Sequence, residues 1–122
     1  ERIIPIIEAI IQDANIEESA VNIPNKNFIN CLPDNIVVEV PGLINKSGVA
    51  GVKLNNYPAN FGNLLNTQVS TIQLTTEAVI NQSKDSAYLA LLADPIVDNV
   101  ENASKLLETM LVFQKEYLGY LK

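Results

Sequence analysis

The stretch that most constrains the fold is a run of apolar, mostly β-branched residues at 36–40, IVVEV, set between two turn sequences. β-Branched side chains favour a pleated strand. The bend at residues 25–27, Asn-Lys-Asn, is rich in the residue that best tolerates positive φ after glycine. Residues 45–48, Asn-Lys-Ser-Gly, have the composition of a hairpin turn. Residues 21–48 are therefore predicted to form a turn, a strand and a hairpin.

Two further strands are predicted beside this run, one at residues 17–23 and one at residues 49–54. Alternation along the central run predicts an outward-facing Glu39, because residues on either side of it are apolar. Pro41 and Gly42 interrupt the run and predict a bulge or a sheet edge.

The flanking segments have helical periodicity. Six isoleucines within residues 3–13 form a wide apolar face that needs cover from two directions, and Pro5 places the helix start near Ile4. Apolar steps of three and four continue from about residue 59 to 81 and predict a second helix. From the residues alone, the fold class is α+β, an antiparallel sheet or hairpin packed with about four helices.

Two more helices are predicted near the end of the chain. Ser83 is expected to cap the first of them, which must end before Pro95. Asp98 and Glu101 have the spacing of a capping box for the last helix, which is expected to end near Gly119.

Composition excludes several functions. The 122 residues carry a net charge of −6, which argues against a nucleic-acid partner and against an anionic membrane surface. No segment has the length of a membrane span. The absence of His removes the commonest general base and metal ligand. The single Cys31 predicts a reducing, cytoplasmic location, and the helical start without Met predicts a piece of a longer protein.

One polar cluster could contact a ligand. Asn22, Asn25, Lys26 and Asn27 gather at the bend, and loops between rigid elements are where binding groups sit. Turn chemistry alone also explains these residues. Cys31 is expected to be a small buried apolar group rather than a nucleophile.

The order of these motifs resembles the carboxyl-terminal part of glycoside hydrolase family 4, of the NAD- and manganese-dependent α-glucosidase and α-galactosidase type. That tail reads N-x-x-N-x-G-x-I-x-N-L-P, then V-E-V-P, then a helical segment with Q, L and E-A, and then D-P. The matching residues here are Asn22, Asn25, Ile29, Leu32, Pro33, Val38, Glu39, Val40, Pro41, Gln73, Leu74, Glu77, Ala78, Asp94 and Pro95. The chain departs from the pattern at Asn27, where the family has Gly, and at Cys31, where it has Asn.

The resemblance implies a partial carboxyl-terminal domain, similar to that of lactate and malate dehydrogenases, preceded in the full enzyme by an NAD-binding Rossmann domain. It also implies glycosidic-bond hydrolysis by NAD-dependent oxidation and elimination with Mn²⁺. The catalytic, NAD-binding and metal-binding residues of the family lie upstream, and Cys31 does not match the metal-binding Cys. This part would be inactive alone, bind no cofactor, wall the sugar cleft and contribute to the interface of a homo-oligomer.

Two alternatives stay open at this point. A non-catalytic oligomerisation or interaction module fits the absence of His and the broad apolar helix faces. The substrate domain of a 2-hydroxyacid dehydrogenase fits the expected fold, but it requires a catalytic His and a substrate-binding Arg, and the only Arg here is Arg2.

Overall fold

A computed structural model describes residues 2–122. Over this range the chain is α+β, with one three-stranded antiparallel sheet and five helices. The elements in chain order are α1 (Ile3–Gln12), β1 (Ile16–Pro24), β2 (Val37–Asn45), β3 (Gly48–Gly51), α2 (Ala59–Ile80), α3 (Lys84–Ala93), α4 (Val100–Phe113) and α5 (Lys115–Leu118). The chain divides after Gly62 into two compact units.

The sheet of the first unit is centred on β2, which pairs antiparallel with β1 on one side and with β3 on the other. Side chains along β2 alternate, so that Val38, Val40 and Ile44 are buried whereas Glu39 is exposed, as predicted. Helix α1 packs against β2, and its Ala9 is buried. The small side chain of Ala9 lets the helix approach the sheet closely.

The bulge or sheet edge that was predicted at Pro41 and Gly42 is not found at those residues. β2 continues through both residues and is the central strand, and the bulge lies on β1, between Glu18 and Val21. Proline has no N–H to donate to a neighbouring strand. β1 has one extra residue opposite Pro41. The pairing register of β1 and β2 therefore shifts at the position where Pro41 has no N–H to donate.

The third strand is shorter than predicted. β3 ends at Gly51 instead of Leu54. Beyond the strand, the N–H of Val52 still donates to the carbonyl of Pro41 at 2.7 Å, and the N–H of Leu54 donates to the carbonyl of Phe28 at 2.9 Å. The segment therefore leaves the ladder but stays attached to the first unit.

Two turns that are far apart in sequence are tied together. Asp13 and Asn15 follow α1 with positive φ values of 55° and 51°. The carboxylate of Asp13 accepts from the backbone N–H of Lys46 at 3.2 Å and lies 3.2 Å from its ammonium group. The side chain of Asn45 donates to that of Asn15 at 3.1 Å. The hairpin turn of β2–β3 thus holds the end of α1.

The other end of α1 is held by an ion pair with a buried carboxylate. Glu18 is 6% exposed, and it accepts hydrogen bonds from Nε of Arg2 at 3.0 and 3.1 Å and a further one from Nη2. Donation from Arg2 lowers the pKa of Glu18 below its ordinary value, and this effect outweighs burial, which acts in the opposite direction. Arg2 and Glu18 therefore fasten the first turn of α1 to β1.

Replacing this carboxylate should change the acid stability of the protein. A lowered pKa means that Glu18 contributes stability above its ordinary value of 4.5 and loses that contribution as the pH falls through its folded value. We expect Glu18→Gln to lower the melting temperature at pH 7, and the difference from the unsubstituted protein to shrink below pH 4.5. Thermal unfolding across a pH series measures this difference. Glu17→Gln, an exposed neighbour, is the control, and an equal loss in both variants would contradict the ion pair's role.

The second unit contains most of α2 and the three later helices. The observed bounds of α2, Ala59–Ile80, confirm the predicted helix at 59–81. Ser83 caps α3 as predicted, since its side chain accepts from the N–H of Ser86 at 3.1 Å. Buried Ala90 and Ala103 leave room for α3 and α4 to pack against each other.

The predicted start of the last helix is wrong, and the helix is interrupted before its predicted end near Gly119. Asn99, not Asp98, is the N-cap of α4, because its side chain accepts from the N–H of Asn102 at 2.9 Å. Asp98 and Glu101 therefore form no capping box. The helix also breaks at Gln114, and the short helix α5 completes the path toward Gly119.

Two substitutions test whether Asn99 or its neighbour Asp98 is the N-cap of α4. Asn99→Ala should reduce the free energy of unfolding by about 1 kcal/mol, because the N–H of Asn102 loses its acceptor. Asp98→Ala should change the free energy by less than about 0.5 kcal/mol. Urea unfolding of both variants tests the assignment, and the reverse order would support the predicted capping box instead.

Candidate functional site

The bend after β1 is a tight turn over residues 25–28. The N–H of Phe28 donates to the carbonyl of Asn25 at 2.8 Å, and the two central residues, Lys26 and Asn27, have positive φ values of 41° and 66°. Positive φ at both central positions is the pattern of a type I′ turn. Asn27 thus keeps the left-handed conformation that glycine adopts most easily.

Asn25 lies at the centre of the loop that follows this turn, and its side chain is completely buried. Its Nδ2 group donates to the carbonyls of Ile29 at 3.0 Å, Leu32 at 2.9 Å and Pro33 at 3.2 Å. Its Oδ1 atom accepts from the N–H of Ile29 at 2.8 Å. The backbone N–H of Asn25 also donates to the carbonyl of Ile36 at 2.8 Å. This one residue joins both ends and the middle of the connection between β1 and β2.

The four residues of the predicted polar cluster are therefore placed in two different settings, one buried and one exposed. Asn25 is inside the loop, and its amide group is fully occupied by backbone groups. Lys26 and Asn27 are exposed at the turn. Asn22 is exposed on β1 in register with Glu39, so both side chains lie on the exposed face of the sheet. Three of the four residues remain accessible to a ligand.

A second contact holds the far side of the same loop. Cys31 is half-buried, and a Cβ atom added to Gly62 would collide with its Sγ atom. Glycine at position 62 therefore allows the start of α2 to lie directly against the loop. The Sγ atom of Cys31 therefore packs against Gly62, and the side chain is half-buried rather than buried as expected.

The residues that the structure describes do not form a metal centre. Among residues 2–122, no three side chains of Asp, Glu or Cys come together as metal ligands. Within the same range, no helix is long and apolar enough to cross a membrane.

The second unit has an apolar groove of about 420 Å³. Side chains of α2, α3, α4 and α5 line it, together with Tyr120 and Leu121, and Asp94 is its one charged residue. Sugar binding needs several convergent hydrogen-bonding groups, whereas this surface is suited to apolar contact. The groove is therefore a weaker candidate for a sugar site than the turn at residues 25–28.

Comparison with known proteins identifies the family. The sequence pattern of the family 4 glycosyl hydrolase C-terminal domain matches residues 1–97. The chain belongs to glycoside hydrolase family 4. It is 41% identical, over all 122 residues, to an α-glucosidase of Erwinia rhapontici, of which it spans 27%. This membership decides against the 2-hydroxyacid dehydrogenase alternative.

Solved structures of family 4 enzymes have the same fold. A 6-phospho-α-glucosidase from gut microorganisms, solved with NAD and glucose-6-phosphate, superposes on 98% of this chain with a TM-score of 0.84 and 29% identity. A 6-phospho-β-glucosidase from Thermotoga maritima, solved with manganese, NAD⁺ and glucose-6-phosphate, superposes on 93% with a TM-score of 0.82 and 29% identity. The chain spans 26% and 29% of those two proteins. The α+β fold and the family expected from the motifs are thus confirmed.

Two substitutions distinguish the buried residue of the polar cluster from an exposed one. Asn25→Ala should lower the free energy of unfolding by about 2–4 kcal/mol, because it leaves a buried N–H and several carbonyls without a partner. Asn22→Ala, on the exposed face, should change it by less than about 0.5 kcal/mol. Urea unfolding measures both values. Similar small effects in the two variants would show that the Asn25 amide group does not hold the loop.

Proposed function

We propose that this chain is the carboxyl-terminal domain of an enzyme that hydrolyses glycosidic bonds, of the α-glucosidase or α-galactosidase type, by NAD-dependent oxidation and elimination. The observation that carries the proposal is the identity of 41% with an α-glucosidase over all 122 residues. The family 4 match over residues 1–97 supports the same reaction class. The solved relatives that contain NAD and manganese support the cofactors.

NAD and Mn²⁺ would be held by an N-terminal Rossmann domain and other residues outside this chain. Two features support this division. Residues 2–122 include no convergent set of metal ligands, and the sequence has no glycine-rich dinucleotide loop after a strand. The domain would be inactive alone, and the complete enzyme would act in the cytoplasm as a homo-oligomer.

The contribution of this domain would be one wall of the sugar cleft. Asn22, Lys26 and Asn27 are exposed around a turn whose backbone is fixed from inside by Asn25. Amide and ammonium groups can hydrogen-bond sugar hydroxyls. A wall that is already rigid loses little conformational entropy when it positions a substrate. These three residues form the proposed lip of the cleft, with Asn25 as its internal support.

A kinetic experiment on the complete enzyme, supplied with NAD⁺ and Mn²⁺, tests the lip. Lys26→Ala and Asn22→Ala should each lower kcat/KM by about tenfold, which corresponds to about 1.4 kcal/mol. Both residues are exposed, so the melting temperature should change little. Lys53→Ala removes the same charge at another exposed position of the first unit and serves as the control.

That experiment distinguishes an error about the lip from an error about the proposed function. Full activity in both lip variants would remove these residues from the cleft while leaving the reaction class intact. Absence of glycosidase activity in the unsubstituted complete enzyme, across α-glucosides, α-galactosides and their 6-phosphates, would contradict the proposed function itself. In that case the rival function, a non-catalytic interaction module, would be preferred.

A further inference from the structure

The apolar groove of the second unit has the size of a small-molecule site. Its volume of about 420 Å³ lies within the range of about 300–1,000 Å³ that such sites have. Tyr120 and Leu121 form one of its walls. The next residue, Lys122, is fixed by two backbone hydrogen bonds. Its N–H donates to the carbonyl of Gln82 at 2.8 Å, and its carbonyl accepts from the N–H of Lys84 at 2.9 Å. This wall is therefore held in place without a ligand.

Asp94 is the one charged residue of the lining, and it is half-buried. Its Oδ1 atom accepts from the N–H of Ile96 at 3.0 Å. None of the ion pairs formed among residues 2–122 includes Asp94. A neutral apolar ligand that covered this carboxylate would remove an unpaired charge from water, which is costly, and an anionic ligand would be repelled by it. The charge of the groove is therefore complemented by a cation.

The other polar groups of the lining are hydroxyls. The hydroxyl of Thr75 donates to the carbonyl of Thr71 at 2.8 Å, and that of Thr71 donates to the carbonyl of Thr67 at 3.4 Å. Their protons are thus used within α2, whereas their oxygens can accept further hydrogen bonds. Tyr120 adds a hydroxyl that can donate or accept. The lining is therefore matched to a ligand that donates hydrogen bonds.

We propose that the groove binds a small amphiphilic amine, with its apolar body against the helices and its primary ammonium group on the carboxylate of Asp94. An ammonium group has three N–H donors and no acceptor, which fits a lining of one carboxylate and acceptor hydroxyls. The apolar body is stabilised by burial against side chains such as Leu91, Leu107 and Met110. The groove belongs to the second unit and the proposed sugar lip to the first, so this inference does not rest on the proposed function.

Methyl NMR of the complete enzyme tests the site, because Met110 is the one methionine of this chain and it lines the groove. Protein with isotope-labelled methionine methyl groups is titrated with phenylbutylamine at about 0.15 M salt, which screens the general attraction of an acidic protein for a cation. Met110→Leu identifies the signal. Phenylbutanol and phenylbutyrate have the same apolar body with a neutral or an anionic end. We expect a saturable shift of the Met110 signal and a Kd for the amine at least about tenfold lower than for the alcohol, because charged hydrogen bonds are the stronger ones. The anion should bind more weakly than the alcohol.

Three variants of the complete enzyme locate the interaction. Asp94→Asn keeps an acceptor for the N–H of Ile96 but removes the charge, so it should weaken amine binding about tenfold and leave alcohol binding unchanged. Asp98→Asn removes the same charge from an exposed residue outside the lining, and it is the matched control. Val79→Trp puts a large side chain at an exposed position of the lining and should abolish the response of Met110 to both the amine and the alcohol.

Several results would overturn the proposal. These are equal affinity for the amine and the alcohol, equal effects of Asp94→Asn and Asp98→Asn, and the absence of a saturable shift. A Met110 signal that moves with protein concentration in the absence of any probe would identify a second copy of the chain as the occupant, and it would also overturn the proposal. Glycosidase activity is assayed on the same preparation. An active enzyme that does not bind the amine would reject only the groove site, whereas amine binding by an inactive enzyme would reject only the reaction.

Discussion

The first unit depends on the buried side-chain amide of Asn25. The connection from β1 to β2 has no regular hydrogen-bond ladder of its own, yet several of its backbone groups point inward. Asn25 provides both a donor and an acceptor at one point and satisfies the N–H of Ile29 and three carbonyls there. Each of these groups would cost about 1–3 kcal/mol if it were buried without a partner. The exposed Lys26 and Asn27 have defined positions because the residue beside them is fixed.

Features governed by local sequence were predicted well, and features governed by pairing across the fold were not. The period of α2 and the cap at Ser83 depend on residues within a few positions of one another, and both appear as expected. The bulge depends on which residues of β1 lie opposite Pro41, and that register arises only when the strands pair. Asp98 and Asn99 can both cap a helix. The choice between two adjacent capping residues therefore depends on where the packed helix begins.

The same distinction applies to the candidate site. The sequence identified Asn22, Asn25, Lys26 and Asn27 as a polar cluster, but residue type alone does not tell a buried amide from an exposed one. Nothing adjacent to Asn25 in sequence indicates that three carbonyls from the following loop will surround it. Arg2 and Glu18 are a similar case, because the two opposite charges are evident while their contact across 16 residues is not. Long-range contacts of this kind have no local pattern.

The buried polar groups of the first unit have structural roles. Among residues 2–122, no metal-ligand cluster forms, and the buried polar groups hold a loop and a helix end in place. α1 is fastened at both of its ends, at Glu18 through Arg2 and at the hairpin turn through Asp13, although one of its apolar faces lies open. Fastening a helix at both ends limits its freedom to turn that open face toward the sheet. A unit built in this way keeps its apolar surface and its polar turn in fixed positions.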